Sequence, residues 1–241
     1  MKAGIVSLVL AYVLSQFYRA FLAVMSPVLT TDLGLSAGDL ADASGLWFLA
    51  FAAMQIPVGA ALDRVGPRLT AAVLFGIGGA GGAALFAVAG SALEVKLAMA
   101  LIGVGCSPVL MASYYIFARV FSPVVFGTLA GAVIGIGSLG NIASSLPLAY
   151  AMEILGWRGS LWVLAGISLV VTGAIAVLVR DPERLPPGPR GSLLDILRIR
   201  ALWLIFPIMA VNYLPAAGLR GLWAGPYFGE VYGLDAAGIG A

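Results

Sequence analysis

The sequence contains no histidine, a single cysteine and few charged residues. Histidine and cysteine are common transition-metal ligands, and a disulfide requires two cysteines. With no histidine and only Cys106, we expect no disulfide framework, no His/Cys metal site and no cofactor. Charged residues make up 10% of the chain, whereas soluble proteins carry about 25%. This shortage of charge argues against an ordinary water-soluble domain.

Apolar residues take the place of the missing charges and occur in long runs. They form 61% of the chain, whose mean hydropathy is +1.05. A spanning helix needs about 20 mainly apolar residues. Lipid offers no hydrogen-bond partner to backbone N–H and C=O groups, so these groups must pair within the protein. We therefore predict an all-α, polytopic membrane protein. The predicted spans lie at residues 4–28, 41–62, 69–90, 96–118, 126–151, 159–179 and 201–226.

The basic residues predict how these spans are oriented. Lysine and arginine are enriched in the cytoplasmic loops of membrane proteins. With the N-terminus in the cytoplasm, that side receives Lys2, Arg64, Arg68, Arg119, Arg180, Arg184, Arg190, Arg198 and Arg200. The other side receives Lys96, Arg158 and most of the acidic residues. We predict a multi-pass protein of the cell (inner) membrane with a cytoplasmic N-terminus.

One segment differs in composition from the predicted spans. Residues 181–200 are rich in proline and charge, which is typical of a linker. They separate residues 1–180, a bundle of six helices, from residues 201–241, which hold the seventh helix. Within the linker, residues 192–200 form either a short amphipathic helix on the inner membrane surface or a simple lead-in to the seventh helix.

The ends of the first and seventh predicted helices are similar. At an offset of 199 residues, Pro27 falls on Pro226, Gly34 on Gly233, Leu35 on Leu234 and Ala37 on Ala236. Two parallel copies of six helices would need a chain about twice as long as the first copy. We infer that the sequence holds one complete half and the first helix of a second half, as a fragment or a truncated product.

A compact charged turn, residues 59–68, lies between the second and third predicted spans. Gly66 and Pro67 favour a tight turn, and basic residues suit the anionic inner surface of the membrane. One interpretation is a positive-inside turn with an incidental acid. A more specific interpretation follows from the pattern Gly-x-x-x-Asp-Arg/Lys-x-Gly-x-Arg/Lys-Arg/Lys, which is filled by Gly59, Asp63, Arg64, Gly66 and Arg68.

This motif, the six helices, the linker and the parallel repeat resemble the major facilitator superfamily. Leu69 departs from the motif at its last basic position. The resemblance implies a transporter built from two six-helix halves. It further implies that the five matching residues of the charged turn form a conformational latch. In the family this latch holds the halves in the outward-open state against an eleventh helix, which this sequence lacks.

Arg19 is the clearest charge inside a predicted span. A charged residue at the bilayer centre costs about 2.5–3.5 kcal/mol on insertion scales, which makes a functional role the default interpretation. At helical spacing, a polar stripe on the first helix is predicted to line a substrate cavity. It consists of Tyr12, Gln16, Arg19, Ala23 and Ser26. Alternatively, the long side chain of Arg19 reaches the outer headgroups.

Arg220 lies at a similar depth in the seventh predicted helix. An arginine in the first helix of each half resembles the organophosphate/phosphate antiporters, where such a pair holds the anion. The guanidinium fork also suits carboxylate. An extracellular position of Arg220 is the alternative. Further candidates, for the cavity or for helix packing, are Tyr114 and Asn141, with Trp47, Phe51 and Gln55 in the second helix.

These features predict a secondary active or facilitative transporter of a small, anionic organic solute, working by alternating access. No Asp, Glu or His lies deep in the first six helices, which argues against proton coupling there. Uniport, anion exchange and coupling through a second half stay open. The alternative is a transport-inactive truncated protein with a scaffold or sensor role.

No enzyme is expected, because no nucleophile–base pair is evident. The expected partners are a small-molecule substrate and the lipid bilayer, with no nucleic acid and no obligate protein.

Overall fold

The computed structural model describes residues 2–183, 198–219 and 223–233. These residues form helices and no strand, which confirms the predicted all-α class. A π-helix, Phe75–Ala80, joins α4 to α5. The α-helices are α1 (Lys2–Leu33), α2 (Ala37–Ala53), α3 (Gln55–Arg64), α4 (Pro67–Leu74), α5 (Gly81–Val88), α6 (Ala92–Val120), α7 (Pro123–Ala143), α8 (Leu146–Leu178), α9 (Arg200–Gly218) and α10 (Ala224–Tyr232).

Six helical segments of the described chain are long and apolar enough to cross a membrane. They are α1, α2 with α3, α4 with the π-helix and α5, α6, α7 and α8. The prediction of six spans before the linker is confirmed. Within the predicted seventh span, 201–226, helix is present in α9 and at the start of α10, and residues 220–222 lie outside the described residues. The predicted amphipathic segment, 192–200, also lies largely outside them.

The helix α8 is broken at Gly156, between the fifth and sixth predicted spans. The fifth predicted span, 126–151, thus comprises most of α7 and the first part of α8, and the sixth, 159–179, lies after the break. Gly156 has φ 68° and ψ 166°, far from helical values and in a region that favours glycine. The two arms of α8 face each other, since Leu148 and Leu164 line the same cavity. The chain therefore turns back at Gly156, within the predicted boundary between residues 151 and 159.

Contacts between helix ends divide the bundle into two sides. On the linker side, the start of α1 touches the end of α8, and the α3–α4 turn contacts the end of α6 and residues that follow α8. On the opposite side, the end of α1 contacts the Gly156 turn, and α2 and α6 meet at their starts. Successive spans therefore alternate in direction. Five residues predicted to be cytoplasmic lie at or next to helix ends on the linker side: Lys2, Arg64, Arg68, Arg119 and Arg180. The orientation itself stays a prediction.

The most buried spans of the described chain are α1, α6 and the span formed by α4, the π-helix and α5. More than half of the spanning window of each is buried, compared with 17% for the α2–α3 span and for α7. An aromatic cluster fills the space beside α1, where Phe21 stacks on Phe17 and meets Tyr18 and Phe86 edge-on. The spans formed by α2–α3 and by α7 therefore leave most of their surface uncovered in this half.

Glycines let α7 approach α1 at backbone distance. A Cβ on Gly140 would overlap the carbonyl oxygen of Val13, and one on Gly137 would overlap the ring of Tyr12. Small residues allow such contacts in membranes, where van der Waals packing drives helix association. A Cβ on Gly131 would meet nothing within 4 Å. One face of α7 is thus closely packed, and another is open.

We predict that Gly140→Ala destabilises the bundle whereas Gly131→Ala does not. The methyl group added at residue 140 must displace the α1 backbone, and overpacking of this kind costs about 1–3 kcal/mol. At residue 131 the methyl group enters open space, and alanine has the higher helix propensity. Thermal unfolding of both variants in detergent measures the difference. Equal melting temperatures would contradict the close α1–α7 contact.

Candidate substrate site

Arg19 lies near the middle of α1 and points toward α2. Lys2 and Leu33, the ends of α1, are about 26 Å and 21 Å away along the axis at 1.5 Å per residue. The Arg19 Cζ lies 5.2 Å from the ring centroid of Trp47 and 5.4 Å from that of Phe51, both on α2. The guanidinium thus rests on aromatic rings within the protein. This placement differs from the alternative in which the side chain extends to the headgroups.

The remaining polar stripe of α1 lies partly within a helix interface. Gln16 Nε2 donates a hydrogen bond of 2.7 Å to the Tyr12 hydroxyl. Tyr12 is 5% exposed and packs against α7, while Gln16 is half-buried. The structure therefore brings Tyr12 and Gln16 together and places Arg19 about one turn further along. The last members of the stripe are buried: Ala23 and Ser26.

Tyr114 and Asn141 lie at different depths of the bundle. The Tyr114 ring packs against Phe126 of α7, with the ring centroids 5.8 Å apart. Phe126 and Asn141 are about 22 Å apart along the axis of α7 at 1.5 Å per residue. The structure therefore does not join Tyr114 and Asn141 into one cluster. The remaining candidate, Arg220, lies outside the described residues.

Trp47 and Phe51 are the neighbours of Arg19 that the polar stripe did not indicate. The sequence offered them only as general candidates of the second helix. Their spacing of four residues, which puts both rings on one helix face, was the available signal. Nothing in the periodicity of α1 specifies which helix its polar face will meet. Gln55, the third candidate there, donates a 2.9 Å hydrogen bond to the Phe51 carbonyl within its own span.

The charged turn contacts two residues that its sequence pattern did not indicate. The first is Arg119 at the end of α6, whose Nη2 lies 3.6 Å from Asp63 Oδ1. The Asp63 side chain is 68% exposed, so this pair contributes about 0–1 kcal/mol. Arg64 and Arg68 are exposed, and Gly59 approaches α6 at van der Waals distance.

The second contact is Asp181, which caps α4. Its Oδ1 accepts a 2.8 Å hydrogen bond from the backbone N–H of Arg68. A carboxylate at this position satisfies a helix N-terminal donor and is favoured by the helix dipole. Gly66 has φ 105°, which favours glycine, and a Cβ there would lie 2.8 Å from the Asp181 carboxyl carbon. Glycine at this position therefore permits both the turn and the cap.

Charged residues on the opposite side also join neighbouring spans. Lys96 Nζ of α6 lies 2.9 Å from Asp39 Oδ1 and 2.8 Å from Asp42 Oδ2 of α2. Arg158 donates hydrogen bonds of 3.0 Å and 2.7 Å to two carbonyls at the end of α5. These charges hold the rim of the bundle together. Within residues 2–183, 198–219 and 223–233, no group of three or more His, Cys, Asp or Glu is placed to hold a metal ion.

We predict that Asp181→Ala destabilises the protein by about 0.5–2 kcal/mol, because the variant loses a helix cap. Glu183→Ala is the matched control, since it removes an exposed acid two positions along the same segment. Thermal unfolding in detergent compares the two variants with the parent. If both variants unfold at the same temperature, loss of charge explains the effect and the cap does not.

The sequence matches the model of the Major Facilitator Superfamily over residues 8–241. The probable L-galactonate transporter of Escherichia coli (strain K12) is 24% identical over 253 residues, which cover 95% of this chain and 54% of that protein. Monocarboxylate transporter 11 of Homo sapiens is 32% identical over 207 residues, which cover 75% of this chain and 41% of that protein. The chain spans about half the length of the curated relatives it matches.

Two solved structures of a bacterial homolog to the human lysosomal transporter Spinster share the fold. The inward-facing, occupied conformation has a TM-score of 0.80 at 19% identity and covers 98% of this chain and 56% of that chain. The inward-facing, unoccupied conformation has a TM-score of 0.74 at 19% identity, and the match covers 97% of this chain and 56% of that chain. These relatives are transporters and not enzymes. With six alternating spans, the charged turn and a family match over nearly its whole length, this chain belongs to the Major Facilitator Superfamily.

Proposed function

We propose that this chain is part of a carrier that moves a small organic anion bearing a carboxylate group. The observation that carries the proposal is the position of Arg19. Its guanidinium lies near mid-helix in a membrane span, against aromatic rings and about one turn from the Tyr12–Gln16 hydrogen bond. A planar guanidinium can bind a carboxylate through two parallel hydrogen bonds.

The energetics of burial support an anionic ligand. A charge at the centre of a membrane helix costs about 2.5–3.5 kcal/mol on insertion scales. A cation–π contact contributes about 0.5–2 kcal/mol, so the two rings offset only part of this cost. A carboxylate beside Arg19 would add charge-assisted hydrogen bonds that offset more of this cost.

The names of two relatives support the same class of solute. One is described as a probable L-galactonate transporter and the other as a monocarboxylate transporter. Galactonate and monocarboxylates share a carboxylate group and differ in the remainder of the molecule. We therefore propose that Arg19 recognises the carboxylate group. Other side chains of the complete carrier would contact the remainder of the solute.

We propose alternating access as the transport mechanism. The family architecture supports it, because two repeats rock around a site near the middle of the membrane. Arg19 lies at that depth in α1, and the described half leaves the α2–α3 span and α7 mostly uncovered. A second half would complete the walls of the cavity in this mechanism.

We predict that Arg19→Ala lowers carboxylate uptake by at least about tenfold, because hydrogen bonds to charged groups contribute about 1.5–3 kcal/mol. Arg19→Lys should retain part of the activity, since it keeps the charge but loses the two-bond geometry. Uptake of galactonate and lactate into proteoliposomes of the full-length carrier measures both. Arg180→Ala is the control, because Arg180 is an exposed arginine outside the spans. Unchanged uptake in Arg19→Ala would refute the proposed anion site.

We further propose that the linker side faces the cytoplasm of an inner-membrane protein and that the charged turn is a conformational latch. The distribution of arginine supports this orientation. The Asp63–Arg119 ion pair and the Asp181 cap support the latch, because they join the turn to the ends of two other spans. In this proposal the turn holds the cytoplasmic side closed in the outward-open state.

Single introduced cysteines test orientation and latch together, and the native Cys106 is buried. A membrane-impermeant maleimide added outside should label Glu94→Cys but not Glu183→Cys. In the same assay, Asp63→Asn should raise labelling at Ala60→Cys from the cytoplasmic side and lower it at Gly45→Cys from outside. Both reporters are exposed positions on the second span. Labelling that does not respond to Asp63→Asn would argue against the latch.

A further inference from the structure

Two aromatic rings of α2 lie beneath the Arg19 side chain. The rings of Trp47 and Phe51 are stacked, with centroids 5.2 Å apart and planes 10° from parallel. The Arg19 Cζ is 5.2 Å from one centroid and 5.4 Å from the other. The guanidinium therefore lies across both rings at nearly equal distance. We call this ring pair the aromatic shelf.

The Trp47 side chain is held in place by its surroundings. It is 1% exposed, its ring meets Phe48 edge-on, and its backbone carbonyl touches Gly103 of α6. Its indole N–H is buried and has no hydrogen-bond partner in the described part of the chain. A buried donor without an acceptor is unfavourable. The indole N–H therefore gains no protein hydrogen bond among the described residues, while the indole ring meets both the core and Arg19.

The chemistry of the shelf also suits an anion site. A carboxylate partner for Arg19 would neutralise the guanidinium and compete with an anionic solute. An aromatic face attracts a cation through its quadrupole and carries no net charge. The aromatic shelf therefore restrains the position of the guanidinium without contributing a negative charge of its own.

We propose that Trp47 and Phe51 are positioning residues for the solute site, holding the Arg19 guanidinium at the depth and angle at which it binds a carboxylate. The inference rests on the proposed role of Arg19 in anion binding. The shelf acts through Arg19, so loss of a ring face weakens solute binding without removing the charge that attracts the solute. The expected signature is a raised KM with a smaller change in kcat.

The experiment measures KM and kcat for galactonate and lactate uptake by the full-length carrier in proteoliposomes. Trp47→Leu and Phe51→Leu should each raise KM by roughly 5- to 30-fold, the range expected for loss of a desolvated cation–π contact. Trp47→Phe should restore KM to within about threefold of the parent, because it keeps an aromatic face. Leu49→Ala is the matched control: Leu49 lies between Trp47 and Phe51 on the same helix and is 65% exposed.

The variants separate the two proposals. If Arg19→Ala abolishes uptake while Trp47→Leu and Phe51→Leu keep the parental KM, the shelf is overturned and the anion site stands. If Arg19→Ala leaves uptake unchanged, both proposals fail. Should Trp47→Leu not fold, uptake by Phe51→Leu and Trp47→Phe provides the test.

Thermal unfolding of Arg19→Ala, Phe51→Leu and the double variant measures the coupling energy between the two side chains. Additive effects in that cycle would also overturn the shelf.

Discussion

A bilayer interior offers no hydrogen-bond partner to the backbone, and the architecture of this protein depends on that constraint. Each span satisfies its own peptide groups by forming a helix. Helices in lipid then associate through close packing rather than through the hydrophobic effect. Glycines provide that packing here: Gly140 meets the α1 backbone, and Gly78 meets Gly105 where the third span crosses α6. The close placement of α7 beside α1, and of the third span beside α6, follows from these backbone contacts.

The same constraint moves most charges to the rims of the bundle, where they connect spans. Lys96 joins α6 to α2 on one side, and Asp181 joins the end of α8 to the first turn of α4 on the other. The charged turn therefore has structural contacts in addition to its proposed role as a latch. Movement of this turn would affect α6 through Arg119 and the start of the linker through Asp181.

Among the residues that the structure describes, Arg19 departs from this distribution, and its environment offsets part of the cost. The protein places the guanidinium on aromatic faces, which attract the cation without neutralising it. This guanidinium lies near mid-helix, at the depth where alternating-access carriers bind their solutes. The proposed recognition of a carboxylate rests on this position and on the planar geometry of the guanidinium. The Tyr12–Gln16 pair provides further polar groups on the same helix.

The sequence by itself determined the features that depend on local composition. These are six apolar spans, their helical class, a turn between the fifth and sixth predicted spans, where Gly156 lies, and the motif at residues 59–68. Hydropathy and turn preference act over a few residues, so they can be read along the chain. Only the tertiary structure decided which distant groups meet. Asp181 reaches Arg68 across 113 positions, and Arg19 meets the rings of Trp47 and Phe51 on α2. These pairings depend on how whole helices pack and rotate, and the packing is set by glycine contacts between spans that no single segment encodes.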